Sequence, residues 1–327
     1  MEKKIFGRIT NETNGGSPVA GLKVEAWDDD WPDGDDFMGK DITDTSGEYA
    51  ISYNEGFWDP SIPGLSSWLP DIFVTADVKN SNGRWVRLGK SQVYKNHKLN
   101  QDLRIDLRVD IGSPITKQTN FIPDQQGFHF RNYFKIEPNL LGVDLGEWDM
   151  GLCGGMCASA LNHFTNNTEI PTDTDIPDTG TPLFNELMAR QIKSTPPDLL
   201  ARMYNWQSSP DVGFWWRKPS IGQRTKKEWP KLKNELDNGQ PVNLILIRSN
   251  GYFDNPTKNH QVLAIGYEFN PATKDLDIQV YDPNRPDEIN QLSMNLGLPD
   301  GKLYFKDSTR RRTRGFLVNP AGKAASA

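Results

Sequence analysis

The feature that most constrains this chain is a change of rhythm near residue 112. Ahead of it, apolar and polar side chains alternate at 5–10, 22–27, 48–53, 72–77, 85–88 and 103–109, with Asn, Asp, Gly or Pro between the runs. A period of two places successive side chains on opposite faces of a strand, so this half predicts an all-β antiparallel sandwich. Behind the change, helical spacing takes over at 156–164, 182–192, 197–205 and 225–237, with Thr225 as the N-cap of the last. Five strand-like runs follow, at 241–247, 260–267, 277–281, 302–305 and 315–318. Helices followed by a sheet predict an α+β second domain. Gly112, Ser113 and Pro114 punctuate the switch, which places a linker over about 111–120 and domains at 1–112 and 113–320. The small residues of 321–327 read as a flexible tail.

A length of 327 residues suits two such domains, at roughly 100–200 residues each. Lys and Arg number 13 against 19 Asp and Glu over 1–110, and 24 against 24 beyond, so the net charge of −6 belongs wholly to the first half. That balance excludes nucleic acid as the main partner, because phosphate binding needs a basic footprint. Ten Trp, nine Tyr and fifteen Phe supply more apolar surface than a disordered chain carries. No apolar run approaches the ~20 residues that span a bilayer. No apolar segment follows the charged residues of 1–8, so the expected location is the cytoplasm, or outside it by a route without a standard signal peptide. With only Cys153 and Cys157, disulfides do not build the scaffold.

In the first half, Gly7-Arg8-Ile9, Pro18-Val19-Ala20-Gly21-Leu22-Lys23-Val24-Glu25-Ala26 and Thr43-Asp44-Thr45-Ser46-Gly47-Glu48-Tyr49 form a connected pattern. Locally, Asp44 can cap the turn, Gly47 can take positive φ and Tyr49 can re-enter the core. The pattern resembles the transthyretin-like (prealbumin-like) β-sandwich family, over roughly the first hundred residues. Sandwiches host many functions, so the resemblance implies a fold and, at most, a surface for a protein partner. Between positions 28 and 36 lie six carboxylates. Asp28, Asp30, Asp33 and Asp35 are a weak candidate cage for Ca²⁺, but the spacing lacks the arrangement of an EF-hand loop, and a solvated acidic hairpin loop is the plainer expectation.

The second half carries the chemistry. In Gly151-Leu152-Cys153-Gly154-Gly155-Met156-Cys157, a cysteine meets the start of an apolar-periodic helix. Free backbone N–H groups and the helix dipole stabilise a thiolate there, lowering the thiol pKa from ~8.5 toward ~3.5–7.5. The two glycines also leave room for a substrate carbonyl. A nucleophilic thiol needs a base, and His260 opens a strand whose neighbour ends at Asp282, so adjacent antiparallel strands can bring imidazole and carboxylate together. Cys153, His260 and Asp282 are the resulting catalytic candidates. Cys157, one turn deeper on a stripe with Leu161 and Phe164, is the alternative nucleophile or a core filler.

Cys-Gly-Gly-Met, then Asp237-Asn238-Gly239-Gln240-Pro241-Val242, His260-Gln261-Val262 with Gly266-Tyr267, and Tyr281-Asp282-Pro283-Asn284 follow one another in that order. The set resembles the papain-like cysteine peptidases, and more closely their C39-like branch, over about 115–320. The resemblance implies a papain-like fold, a peptide or protein substrate, a thioester intermediate and no cofactor. Papain analogy favours Cys157, whereas the C39-like pattern and the helix terminus favour Cys153. One departure is Glu147 where these enzymes carry an oxyanion-binding Gln, since a carboxylate repels developing negative charge. Gln125, Gln126 or Asn132 can replace that donor, together with the backbone N–H of Cys153.

The remaining candidates have plainer readings. His163 lies ten residues past Cys153, about 15 Å along a helix, too far to act as its base. His129 alternates with Phe128 and Phe130 as a partly buried strand residue or the lining of a cleft, and His97 reads as exposed. A zinc site from Cys153, Cys157 and His163 lacks a fourth ligand. Trp215 and Trp216 suit core packing, or a wall for a ligand. Arg310, Arg311, Arg312 and Arg314 read as a solvated approach to the last strand, or as a patch for acidic surface. The expected function is a cysteine-dependent peptidase or amide hydrolase. The alternatives are a non-catalytic papain-like binding protein, or a translocated effector with deamidase or acyltransferase activity.

Overall fold

The computed structural model describes residues 3–13, 15–29, 35–53, 69–80, 83–98, 101–134, 151–211, 219–297, 304–305 and 313–322. The chain forms two compact units, Met1–Pro114 with Asn270–Lys274, and Ile115–Phe269 with Asp275–Ala327.

In the first unit, β4 (Glu48–Tyr53) lies antiparallel to β1 (Lys3–Asn11), and β1 pairs in parallel with β7 (Leu103–Arg104) and β8 (Leu107–Val109). A second sheet has the order β3 (Asp36–Ile42), β2 (Lys23–Asp28), β5 (Ile72–Lys79), β6 (Trp85–Lys90). Ile5, Ile9 and Ile51 from the first sheet share one apolar core with Val24, Ala26, Val74 and Ala76 from the second. The period-two pattern dictates this, because one-face alternation has to be buried against another sheet. In the Thr43–Tyr49 turn, the Asp44 carboxylate accepts from the Ser46 and Glu48 amides at 2.8 and 2.9 Å, and Gly47 has φ 73°. The Tyr49 hydroxyl then donates to the Ile105 carbonyl at 2.7 Å. β3 escapes the sequence reading because its inward side is only half-buried and Gly39 interrupts it.

The second unit is built on a seven-stranded sheet. Its path is β14 (Tyr304–Phe305), β13 (Arg285–Asn295), β12 (Asp275–Asp282), β11 (His260–Phe269), β10 (Val242–Ile247), β15 (Gly315–Val318), with β9 (Ile115–Gln118) also on β11. β9 corrects the expected linker: its four residues are all exposed, so no apolar pattern marks them, yet they pair with 266–269. β13 was equally hidden, since its first half is polar and largely exposed.

Apolar side chains cover both faces of this sheet. Leu263 and Ile265 pack with α2 (Cys153–Asn166) and α3 (Pro182–Lys193), whereas Val262 and Ala264 pack with Trp229, Leu232 and Leu236 of α5 (Ile221–Asp237). α4 (Pro197–Gln207) sets Leu199, Met203 and Trp206 against Ile245 and Ile247. Burial on both faces explains the unbroken apolar runs of β10 and β11.

Two helix starts differ from the sequence expectation. α5 begins four residues before Thr225: Ser220 is its N-cap, in a capping box with Gln223 at 3.0 and 3.1 Å, and Thr225 instead bonds back to the Ile221 carbonyl. α2 begins at Cys153, three residues ahead of the apolar period, because glycines carry no periodic signal. A short helix, α1 (Pro123–Gln126), was not expected. Residues 321–322, assigned to the tail, turn back onto the sheet: the Ala321 amide donates to the Asn319 side chain at 3.0 Å, and Gly322 lies against Asn243. No helix among the described residues is long and apolar enough to cross a membrane.

Candidate active site

β11 delivers two consecutive residues to the head of α2. The Gln261 backbone N–H donates to the Cys153 Sγ at 3.3 Å, and the His260 side chain is hydrogen-bonded to the same sulfur. On its other side the imidazole meets Asp282, with Nε2 to Oδ1 at 2.6 Å. With Nε2 on the carboxylate, Nδ1 is the ring nitrogen left for sulfur. The antiparallel register of β11 and β12, Leu263 opposite Tyr281, brings the starting end of one strand to the finishing end of the other. His260 and Asp282 are 4% and 5% exposed and Cys153 is 9% exposed, so the three groups interact largely out of water.

Their acidities are coupled. Burial pushes the Cys153 thiol up, but the His260 charge and hydrogen bond, aided by the Gln261 N–H, outweigh it and bring the thiol below its ordinary range. Burial pulls His260 down, yet the Asp282 and Cys153 charges raise it to about 9. Burial likewise pushes Asp282 up, and His260 more than offsets that, leaving the carboxyl low. The arrangement favours thiolate, imidazolium and carboxylate together. Cys157 is different: fully buried beside Met156 and Ala160, it is pushed well above the thiol range by burial and by the charge on Cys153. Of the two thiols, only Cys153 has surroundings that favour its thiolate.

The source of that acidity differs from the sequence argument. The Gly154 and Gly155 amides both donate to Oε1 of Gln191 on α3, at 2.8 and 3.0 Å, so a neutral side chain occupies the helix terminus. The glycines themselves serve close packing rather than substrate access. A Cβ on Gly155 would fall 2.1 Å from the Leu187 carbonyl oxygen, and one on Gly154 2.4 Å from the Gln261 amide and 2.5 Å from Ser194 Oγ. Behind the sulfur, the Gln261 side chain is held by Thr195 Oγ1 at 3.2 Å and Asn319 Nδ2 at 3.0 Å. Gln191 and Asn319 carry no signal in sequence, because their roles arise only when α3 and β15 arrive.

The other sequence candidates fall in varied places. Gln126 bonds through Oε1 to the Ile122 amide at the head of its own short helix, at 2.5 Å, and Gln125 is an exposed residue of the same helix. Asn132 sits against Gly151, two residues ahead of Cys153: a Cβ there would meet its Nδ2 at 2.4 Å. Its Nδ2 contacts Oδ1 of Asn284 at 3.2 Å, and Nδ2 of Asn284 lies 3.1 Å from His260 Nε2. Asn284 was missed, although it follows Asp282 by two residues in the Tyr-Asp-Pro-Asn block.

His129 lies in an irregular segment, not a strand, with Nδ1 2.6 Å from Asp287 Oδ1; Phe128 and Phe130 both enter the same core, so the apparent alternation has no sheet behind it. His163 bonds to Thr168 at 2.9 Å beyond the far end of α2. His97 is half-buried, 3.3 Å from the Tyr53 hydroxyl, rather than exposed. Arg314 is not solvated: at 5% exposure its guanidinium donates to Asp211 and to the carbonyls of Gln207, Ser209 and Ser249. Asp28 is buried and accepts from the Asp71 amide at 2.7 Å. No group of three or more His, Cys, Asp or Glu able to hold a metal occurs among the described residues. Asp30, Asp33, Glu147, Trp215, Trp216, Arg310, Arg311, Arg312 and residues 323–327 lie outside them.

No protein-family model matches the chain, and no curated protein does. Among solved structures, a 9R-lipoxygenase from Cyanothece PCC8801 aligns with 94% of this chain and 43% of its own, at 13% identity and a TM-score of 0.23. An alternative pilotin from the type II secretion system of Vibrio cholerae aligns with 34% of this chain and 96% of its own, at 13% identity and a TM-score of 0.25. The chain thus spans less than half the length of the lipoxygenase. Likeness at this level carries nothing across about fold or activity.

Proposed function

We propose that the second unit is a papain-like cysteine hydrolase of peptides or other amides, acting through Cys153, His260 and Asp282. The observation that carries this reading is one sulfur in contact with both His260 and the Gln261 N–H, with the same imidazole on Asp282 at 2.6 Å. In this reading the Cys153 thiolate attacks the substrate carbonyl carbon, and the C=O electron pair moves to oxygen. Collapse of the adduct breaks the C–N bond, and the departing amine takes its proton from His260. Water then attacks the thioester, His260 accepts its proton, and the acid leaves as the thiolate is restored. Asp282 keeps the ring oriented and its charged form stable throughout.

The first turn of α2 also supplies an electrophile-binding group. Two of its amides are taken by Gln191, and Met156 donates to the Leu152 carbonyl. That leaves the Cys153 N–H as the free donor of the turn among the described residues, placed where an oxyanion formed on its own adduct would lie. The first unit, with its transthyretin-like pattern, is assigned to binding a protein partner.

The test is thiol chemistry read by peptide mass mapping. With iodoacetamide at pH 6, Cys153 is expected to label at least tenfold faster than Cys157, and His260→Ala to remove the difference. Slow, equal labelling of both thiols in the wild type would overturn the proposal. A peptide library incubated with wild type and Cys153→Ala then separates hydrolase from silent binder.

A further inference from the structure

The cations of the first unit are unevenly spread. Positions 78–101 hold Lys79, Arg84, Arg87, Lys90, Lys95 and Lys98, all exposed, and no Asp or Glu, in a half of the chain where acids outnumber bases. Strand register shows which of them share a surface. Val24 and Ala26 of β2 enter the core, so Lys23 and Trp27 point away from it. Cross-strand partners lie on one face, which carries this outward side to Phe37 and Ile42 on β3 and to Asp77 and Lys79 on β5. From β5 it continues to Trp85, Arg87 and Lys90 on β6. Phe37, Ile42 and Trp85 are 48%, 48% and 39% exposed, and among the described residues no other large apolar side chain of the first unit is exposed. One face thus gathers the exposed apolar groups and half of the uninterrupted run of cations.

We propose that the outward face of the β3-β2-β5-β6 sheet docks an acidic segment of a partner protein, its carboxylates on Lys79 and Lys90 and its apolar side chains on Phe37, Ile42 and Trp85. The proposal gives a face and a chemistry to the partner-binding role of the first unit, and rests on that role rather than on the hydrolase. The face is positive because its own acids are already matched. Asp77 lies 3.1 Å from Lys23 and 2.5 Å from Arg87, and Glu25 accepts from Lys23 at 2.7 Å. Lys79 and Lys90 cover rings instead, with Nζ 5.9 Å from the centre of Trp85 and 3.4 Å from that of Phe73. Aromatic rings beside ammonium groups suit a ligand that offers carboxylate and hydrocarbon side by side. Size selects a segment over a second copy of the chain: four strands ~4.8 Å apart and about six residues long present about 400 Å² in projection, half of the ~800 Å² that each partner of a standard interface buries. A dense polyanion is a poorer match, because the acids of the rest of the unit repel it.

The test is a selection followed by affinity measurement. Random peptides displayed on phage, selected on the full chain carrying Cys153→Ala so that no probe is cut, are expected to be enriched in Asp and Glu together with Phe, Leu, Ile or Trp. Fluorescence anisotropy of the selected peptides then reads their affinity. Lys79→Glu combined with Lys90→Glu is expected to weaken binding at least ~30-fold, and Trp85→Ala about tenfold. Lys4→Glu combined with Arg108→Glu makes the same change in net charge at exposed positions of the other sheet, and is expected to change affinity less than about threefold. Selected peptides without acidic residues, or equal losses in the two double variants, would overturn the proposal. So would an oligouridylate that binds more tightly than the peptides and is lost in the Lys79→Glu, Lys90→Glu chain, which would make the face one for nucleic acid. Peptides that bind and ignore every substitution on this face would overturn the face alone, whereas failure to select any peptide would overturn the partner-binding role as well.

Discussion

The first and second turns of α2 each carry a cysteine, and the two thiols differ in every chemical respect except burial. Cys157 is enclosed by hydrocarbon and is held as a neutral thiol. Cys153, only four residues earlier, is drawn toward thiolate by a charged imidazole and a backbone N–H. Burial pushes both upward, so the difference lies in what β11 brings to one turn and not to the other. Position at a helix terminus is not the cause either, because Gln191 occupies the amides that a terminus would offer. The acidity of Cys153 is set by tertiary contact, and the helix is the platform on which the contact is made.

The contrast can be broken most completely at His260. In His260→Ala the burial of Cys153 is unopposed by the imidazole, so its alkylation rate at pH 6 is expected to fall by about two orders of magnitude, to that of Cys157. Stopped-time labelling and mass mapping measure both sites in one sample. Next in size is the glycine between the turns. Gly155→Ala drives a methyl group into the Leu187 carbonyl, and denaturant unfolding is expected to show a loss of about 2–4 kcal/mol as α2 and α3 separate. Cys157→Ala sharpens the comparison from the other side. It removes a core sulfur and is expected to destabilise by about 1–2 kcal/mol while leaving Cys153 labelling within about twofold.

The smallest expected effect is on the pH dependence of stability. His260 is raised from 6.5 to about 9, so its stabilisation is whole below pH 6.5 and is lost as pH rises through about 9. Cys153 is lowered, so its own contribution is present above the unfolded thiol pKa and is lost as pH falls through the folded one. Replacing Cys153 with Ala removes one of the charges that raise His260. Thermal melts across pH 6–10 are therefore expected to show a smaller alkaline loss of stability in Cys153→Ala, complete at a lower pH than in the wild type.

Much of this was legible in the residue order, and what was not has physical reasons. Regular periods revealed β1, β2, β4, β5, β10, β11 and most of α2 to α5, because each buries one stripe or both faces. β9 and the start of β13 stayed hidden because their pairing is by backbone, with side chains in solvent. His260 and Asp282 could be paired on paper, since neighbouring antiparallel strands meet at opposite ends. Gln191 could not, because it acts from a different helix through a single oxygen. Arg314 misled for a related reason: a guanidinium surrounded by carbonyls is as comfortable inside as out, and sequence shows the charge but not the carbonyls.

Gln261 lies 108 residues beyond the sulfur it touches. Bringing together contacts of such long reach costs loop-closure entropy, which the packed sheet has to offset. The Cys153 thiol is therefore lowered only in a chain whose β11 has docked on α2. Mild-acid alkylation of Cys153 is thus expected to report the docking of β11 on α2 during refolding.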